Sequence, residues 1–405
     1  MIESRNNTHL SSIITHYSLY PVHYSLFPIP CSLFPIPYSL YPQILSPFTM
    51  QALQDIFKGK KVFLTGHTGF KGAWLLQILN QLGATVKGYS LAPEHDNDLY
   101  QQIDGEALCY SSVIADINDA AQVQAELVRF EPDFVFHLAA QALVRRSYQA
   151  PADTFATNVM GTVNVLEALR KLDKRCVAIM ITTDKVYENP EDGIAFKEAD
   201  KLGGYDPYSA SKAACEIAIS SYMRSFFPAA DYDKHQKSIV AMRAGNVIGG
   251  GDFSEDRIIP DIVRAIQFLK PVKLRNPKAV RPWQHVLEPL MAYVQTAAIL
   301  YTNPGTLSPA YNIGPEASDV LPVLEVTEHF IKAFGKGTYE ITGNAHQPHE
   351  AALLLLDNTR IKTETGFTPK LTAHQAIEWT AKWYADKERS AVEKCQEQIN
   401  DFLAL

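Results

Sequence analysis

Lys61-Val-Phe-Leu-Thr-Gly-His-Thr-Gly-Phe-Lys-Gly72 sets a short apolar run against glycines at 66, 69 and 72. Lys61 to Thr65 reads as a strand, and Gly69 through Leu82 as the helix that follows it. Gly66 and Gly69 permit a tight turn and a close approach of backbone to a pyrophosphate. Gly72 permits close helix–strand packing, and the helix N-terminus presents the positive end of its dipole. A purely structural turn would not need all three glycines. His67 and Phe70 fall inside the same turn and join the glycines as candidate dinucleotide contacts.

Outward from this point the chain alternates short apolar strands with amphipathic helices, the pattern of a doubly wound parallel sheet of the Rossmann-like α/β class. Thr85 to Ser90 reads as the second strand, Ser112 to Ala115 as the third and Phe134 to Leu138 as the fourth. A long helix is expected near Asp153 to Lys171, then a fifth strand from Cys176 to Ile181. Tyr208 to Phe226 reads as that strand's helix and Ser238 to Arg243 as the sixth strand. After about Gly250 the alternation weakens and Pro and Gly become frequent. The expectation is therefore a dinucleotide-binding domain over 57–250. Residues 251–405 would form a smaller mixed α/β substrate domain, with a last amphipathic helix near Ala373 to Ile399 packing back on the body.

The first 49 residues differ in kind. Tyr24-Ser-Leu-Phe-Pro-Ile-Pro30 is followed by Cys31-Ser-Leu-Phe-Pro-Ile-Pro37 and Tyr38-Ser-Leu-Tyr-Pro42, a tandem repeat whose prolines forbid a continuous helix. Such a tract cannot build a core, so it is expected to be disordered, with Met50 as the expected start of the working chain. A proline-rich docking arm is the alternative. The 405 residues are 46% hydrophobic with a formal net charge of −7, which argues against general nucleic-acid binding. The five cysteines show no metal or disulfide spacing, so no metal is expected and a reducing cytoplasm is the expected location. No apolar run reaches the length of a membrane helix.

Two motifs carry chemistry. Thr182-Thr-Asp-Lys-Val-Tyr187 follows the fifth strand, and Tyr208-Ser-Ala-Ser-Lys212 opens the next helix. Tyr208 and Lys212 stand at i and i+4 on one helix face. There an ammonium can lower the phenol's pKa from about 10 toward neutrality, so that a tyrosinate can take a proton from an alcohol. Thr183, Asp184 and Lys185 bring a hydroxyl, an acid and an amine to the strand end. An alcohol oxidation needs only Thr183, Tyr208 and Lys212, so Asp184 and Lys185 suggest a further step. Their bland reading is a surface ion pair worth about 0–1 kcal/mol.

Other positions are weaker. The second strand ends at Ser90, where an Asp or Glu usually meets the ribose hydroxyls. A hydroxyl bonds less strongly there, and NAD and NADP both stay open at this position. Asp116, beside Ile117, could meet an adenine amine or cap a helix. His137-Leu-Ala-Ala-Gln141 closes the fourth strand with small residues that suit a backbone running beside a cofactor, at Leu138, Ala139 and Ala140. His137 itself reads as a core histidine. Asn158 is either an ordinary helix residue or a support behind the site.

Together these residues resemble the extended short-chain dehydrogenase/reductase family over about residues 60 to 385. Thr183, Tyr208 and Lys212 match its Ser/Thr–Tyr–Lys set. Within it, Thr-Thr-Asp-Lys-Val-Tyr, Gly-His-Thr-Gly-Phe-Lys-Gly and Arg281-Pro-Trp-Gln-His-Val look like the nucleotide-sugar 4,6-dehydratases that act on CDP-glucose. The similar dTDP-glucose enzymes usually carry Glu where this chain has Lys185.

The resemblance implies an internal NAD redox cycle. Tyr208 would take the proton of the sugar 4-hydroxyl, with Thr183 bonding the same oxygen. Lys185 would take the C5 proton, and Asp184, if protonated, would donate to the departing 6-hydroxyl. The resemblance also implies sugar-nucleotide contacts from Gln141, Arg243 and Asn246, a homodimer, and a role in deoxysugar supply for surface polysaccharide, while Arg257 and Arg281 are the best candidates for clamping a diphosphate or ribose, since guanidinium forks match phosphate oxygens. A nucleotide-sugar 4-epimerase, which needs no C5 base, and a non-catalytic dinucleotide sensor are the rival readings.

Overall fold

The sheet expected from the alternating pattern forms, and one more strand joins it than the sequence suggested. The structure is a computed structural model that describes residues 48–342 and 353–405. The proline-rich repeat, with its expected disorder, lies outside the described residues. Seven parallel strands are ordered β7-β6-β5-β4-β1-β2-β3. They are β1 (Lys61–Thr65), β2 (Thr85–Ser90), β3 (Ser111–Ile114), β4 (Phe134–His137), β5 (Cys176–Thr183), β6 (Lys237–Ala244) and β7 (Ala310–Ile313). The order reverses between β1 and β4, and in such sheets ligands bind in the crevice beyond the strands' carboxyl ends at that switch. The Gly66–Gly72 turn leaves β1 there, while Thr183-Asp184-Lys185 ends β5.

Strand alternation divides the core into two layers. Val62, Leu64, Phe134, Phe136, Ile179 and Met242 face one layer, which also holds Trp74, Ile78, Leu290 and Val294 from the helices Phe70–Gln81 and Leu287–Thr302. Phe63, Val135, Ala178 and Met180 face the other, against Val123, Leu127, Val165 and Ile219 from the helices Ala120–Phe130, Gly161–Lys171 and Pro207–Ser225. A parallel sheet buried on both faces needs such near-continuous apolar strands. The helix Leu287–Thr302 is buried all round from Leu287 to Leu300, as its almost wholly apolar sequence requires.

Two expected helices are divided. The one expected over 153–171 is a helix Pro151–Phe155, a π-turn Ala156–Met160 and a helix Gly161–Lys171. Such bulges cluster at functional sites, and this one contains Asn158. The expected last helix is two, Ala373–Ala385 and Ala391–Ala404. Each begins in a reciprocal capping box, Thr372 with Gln375 and Ser390 with Glu393, and the second box restarts the chain in a new direction. The last of them buries Cys395, Ile399 and Phe402 in the layer that holds Trp74. Among the described residues, no helix is long and apolar enough to cross a membrane.

Candidate active site

Beyond the carboxyl ends of the strands lies a cavity of about 860 Å³. The turn after β1 forms its floor. Gly66 has φ +74°, and a Cβ there would stand 2.7 Å from the backbone nitrogen of Ala139. A Cβ on Gly72 would lie 2.0 Å from the carbonyl oxygen of Gly66, whereas one on Gly69 meets only that oxygen at 3.5 Å. The first and third glycines are thus needed for packing. The second leaves an open backbone face at the N-cap of Phe70–Gln81, which suits a bulky anionic group.

Of the residues singled out for a dinucleotide, Gly66, Gly69, Phe70, Gly72, Ser90, Asp116, Ile117, Leu138, Ala139, Ala140, Tyr208 and Lys212 line this cavity. His67 does not. It turns under β2, with Nε2 2.8 Å from Ser112 Oγ and its ring against Gly88, where a Cβ would lie 2.4 Å from it. Burial pulls its pKa down to about 4, so it sits there neutral. Ser90 Oγ pairs with Thr68 Oγ1 at 2.8 Å. Asp116 is no helix cap, because Asp119 caps Ala120–Phe130. Its carboxylate accepts from the backbone N–H of Asn118, and its carbonyl accepts from Tyr89.

Asn158 stands behind the site. Its amide donates to Ser211 Oγ at 2.8 Å and to the carbonyl of Gln141 at 3.1 Å, while its side-chain oxygen accepts from Gln141 N–H at 2.8 Å. The π-turn thereby ties the loop after β4 to the helix that carries Tyr208. His137 is the core residue expected, held between Thr65 and Thr162 and kept neutral by burial, which lowers its pKa to about 3.

At the end of β5 the expected catalytic residues converge, with an electrostatic balance that differs from expectation. Thr183 Oγ1 donates to Asp184 Oδ1 at 2.9 Å, and Lys185 Nζ lies 3.1 Å from the same oxygen and 3.0 Å from Asn246 Oδ1. Asp184 is fully buried and its Oδ2 has no partner, so the surface-pair reading does not hold. Lys212 donates to the carbonyl of Ile181 at 3.2 Å, and burial lowers its pKa. The Tyr208 phenol is pushed up to about 12 chiefly by burial, against a hydrogen bond with Thr183 that pulls it down. The sequence expectation of a phenol lowered by Lys212 is therefore not met in the free protein. That ammonium is spent on a backbone carbonyl and is itself disfavoured by burial.

Among the expected sugar-nucleotide contacts, Gln141, Asn246, Arg257 and Arg281 line the cavity. Arg243 does not. It is 4% exposed, forked onto Glu216 at 3.0 and 2.9 Å, and donates to Tyr187 Oη at 2.7 Å and to the carbonyl of Glu198 at 3.0 Å. It sits one pair from the carboxyl end of β6, opposite Thr182 of β5, and this network fixes the β5 end.

Sequence reading missed Lys71, Arg145 and Arg275, which also line the cavity. The two arginines both reach Asp256, at 3.5 and 3.0 Å. Lys71 was legible in principle as the one cation inside the glycine turn, whereas no motif marks Arg145 or Arg275. Among the described residues, no cluster of three metal-ligating side chains occurs.

Comparison with known proteins follows the same lines. A family model described as GDP-mannose 4,6 dehydratase matches residues 63–380. CDP-glucose 4,6-dehydratase of Salmonella typhimurium is 38% identical over 355 residues, spanning 87% of this chain and 98% of that protein. The dTDP-glucose 4,6-dehydratase of the same organism is 26% identical over 349 residues, with 80% and 92% covered. Among solved structures, dTDP-glucose 4,6-dehydratase from Bacillus anthracis in complex with NAD aligns with a TM-score of 0.67 at 21% identity, covering 82% of this chain and 98% of that one. UDP-glucose 4-epimerase from Thermus thermophilus, in complex with NAD, aligns with the same score at 23% identity, covering 81% and 99%. A dehydratase and an epimerase fit equally well, so these structures speak for the fold and leave the reaction to the site.

Proposed function

The chain belongs to the GDP-mannose 4,6-dehydratase family of nucleotide-sugar dehydratases, and from that premise we propose that it converts CDP-glucose to CDP-4-keto-6-deoxyglucose with NAD held in the cavity. The observation that carries this reading is the buried Asp184, bridged to Lys185 and Thr183 beside Tyr208. A 4-epimerase needs no such pair. The glycine turn, Ser90, Asp116, Ile117, Leu138, Ala139, Ala140, Tyr208 and Lys212 would hold the dinucleotide, with its diphosphate on the open face of Gly69. When bound, NAD supplies an acceptor for the hydride from sugar C4 and later returns that hydride to C6.

The protein's own residues move the protons. Tyr208 Oη, once its own proton has passed to solvent, takes the proton of the 4-hydroxyl, and Thr183 Oγ1 bonds the same oxygen. The ketone so formed acidifies the C5 proton, which Lys185 Nζ removes. Asp184 gives a proton to the 6-hydroxyl as it leaves as water, and Lys185, after exchange with solvent, returns a proton to C5 when C6 regains its hydrogen. Lys185 must be neutral and Asp184 protonated for this, and one proton moved across their 3.1 Å hydrogen bond produces both forms at once. Proton transfer by placed groups of this kind contributes about 10²–10⁴-fold each. Asn246, Gln141, Arg257 and Arg281 would meet the nucleotide sugar, the two guanidiniums matching its phosphate oxygens.

The wider setting follows the family reading: a cytoplasmic enzyme supplying a deoxysugar for surface polysaccharide. It would work as a homodimer, and Phe155, Met160 and Ile217 expose apolar surface on the helical layer for such contact. Turnover measured against CDP-, dTDP-, UDP- and GDP-glucose tests the substrate. A clear preference for CDP-glucose supports the reading, and equal or better turnover of another base refutes it.

A further inference from the structure

Lys71 is the second residue of the helix Phe70–Gln81, directly after the open face of Gly69, and it lines the cavity. Its ammonium donates to the phenol of Tyr293 at 3.1 Å and lies 5.4 Å from that ring's centroid. Tyr293 is fully buried in the helix Leu287–Thr302, and its phenol offers Lys71 a neutral oxygen and no counter-charge. The charged groups that act on Lys71 come from three other elements. Lys212 reaches it from the helix Pro207–Ser225 and Arg257 from the start of the helix Ile258–Gln267, and both oppose its charge. Asp184, at the end of β5, favours it but is already shared with Thr183 and Lys185. Burial and these two cations bring Lys71 down to about 7.

We propose that Lys71 is an anion-binding residue of this cavity that takes up a proton when a diphosphate group binds, whether from the dinucleotide or from the nucleotide sugar. The proposal rests on the cavity's reading as a site for those two molecules. A lysine ammonium binds phosphate as a point charge, and a nearby dianion favours its charged form. Lys71 stands where the helix N-terminus and the open backbone of Gly69 already favour negative charge. In the free protein near neutrality the residue is divided between amine and ammonium. Bound anion selects the ammonium, so a proton enters from solvent with each binding event. The proton is the only species transferred.

The linkage has a definite sign. Below pH 7 the free lysine is already charged, and affinity is independent of its titration. Above pH 7 the free form loses its proton first, so binding weakens by up to about tenfold per pH unit until the bound lysine also titrates.

Titration calorimetry at pH 8 in buffers of differing ionisation enthalpy reads this directly, with ADP-ribose as the dinucleotide arm and CDP as the sugar-nucleotide arm. The wild-type protein is expected to take up a substantial fraction of a proton with one or both ligands, and the responding arm identifies which diphosphate Lys71 meets. Lys71→Arg, charged at every pH used, is expected to bind without proton uptake and without the loss of affinity between pH 7 and 9. Lys71→Met should bind weakly at all pH values, with its melting temperature reporting whether it folds. Wild-type binding with no proton uptake on either arm, or equal uptake in Lys71→Arg, overturns the assignment to Lys71. Failure of the folded wild type to bind either ligand overturns the cavity reading and the proposal with it.

Discussion

Asp184 presents a carboxylate where solvent does not reach, with one oxygen shared by Thr183 and Lys185 and the other without a partner. In the proposed reaction the pair acts after oxidation has begun, so removing Lys185 should separate the two halves of the chemistry. Lys185→Ala is expected to leave oxidation at C4 detectable as bound NADH while solvent deuterium no longer enters C5, with overall turnover down by about 10²-fold or more. Normal deuterium entry in that variant would take the base role from Lys185. Much of this residue-level site could be read from the sequence, because Thr183, Asp184, Lys185, Tyr208 and Lys212 lie in two short motifs whose spacing fixes their faces. Arg243 and His67 could not. Whether a side chain on a strand end or in a turn points into a cavity or beneath the sheet depends on neighbours far along the chain, here Glu216 for Arg243, and Ser112 and Gly88 for His67.

At the scale of elements, the helix Leu287–Thr302 carries an unusual burden. Its first turn buries Glu288, whose Oε1 accepts from the backbone N–H groups of Lys370 and Leu371 at 2.9 and 2.8 Å while Oε2 has no partner. Burial outweighs those two bonds and raises the carboxyl from 4.5 to about 7. The folded state therefore prefers the neutral acid. That contribution to stability is fully present below about pH 4.5 and is lost as pH rises to about 7, at about 1.4 kcal/mol per pH unit. Glu288→Gln keeps an acceptor for both N–H groups and removes the titration. Its melting temperature should fall less than that of the wild type between pH 5 and 8, whereas parallel curves for the two proteins would show that Glu288 stays charged throughout.

The strands were readable from apolar runs within a residue or two at their ends. The π-turn and the break at Asp386–Ser390 were not. A bulge leaves helical periodicity almost intact, and a capping box inside a polar stretch resembles ordinary surface helix.

In the whole molecule, the last helix reaches back to the first crossover helix. Cys395, Ile399 and Phe402 are buried in the layer that contains Trp74, on the helix whose N-terminus carries the open face of Gly69. Burying three such side chains is worth roughly 1.5–3 kcal/mol each, which is comparable with a domain's whole stability. A chain ending at Arg389 is expected to melt at least 10 °C lower or to fail to fold, and an unchanged melting temperature would show that the body stands without that helix. The entry of β7 beside β6 was not expected from the sequence, because Ala310-Tyr-Asn-Ile313 is only four residues with the polar Asn312 among them, and its pairing with Ala241–Ala244 is what identifies it as part of the sheet.

In the proposed reaction one cavity oxidises C4, removes the C5 proton and expels the 6-hydroxyl. Incubating the wild-type protein with CDP-glucose in deuterated water and reading the product by NMR tests all three together. The expected product is CDP-4-keto-6-deoxyglucose with deuterium at C5. CDP-galactose, with no deuterium at C5, would contradict that reaction.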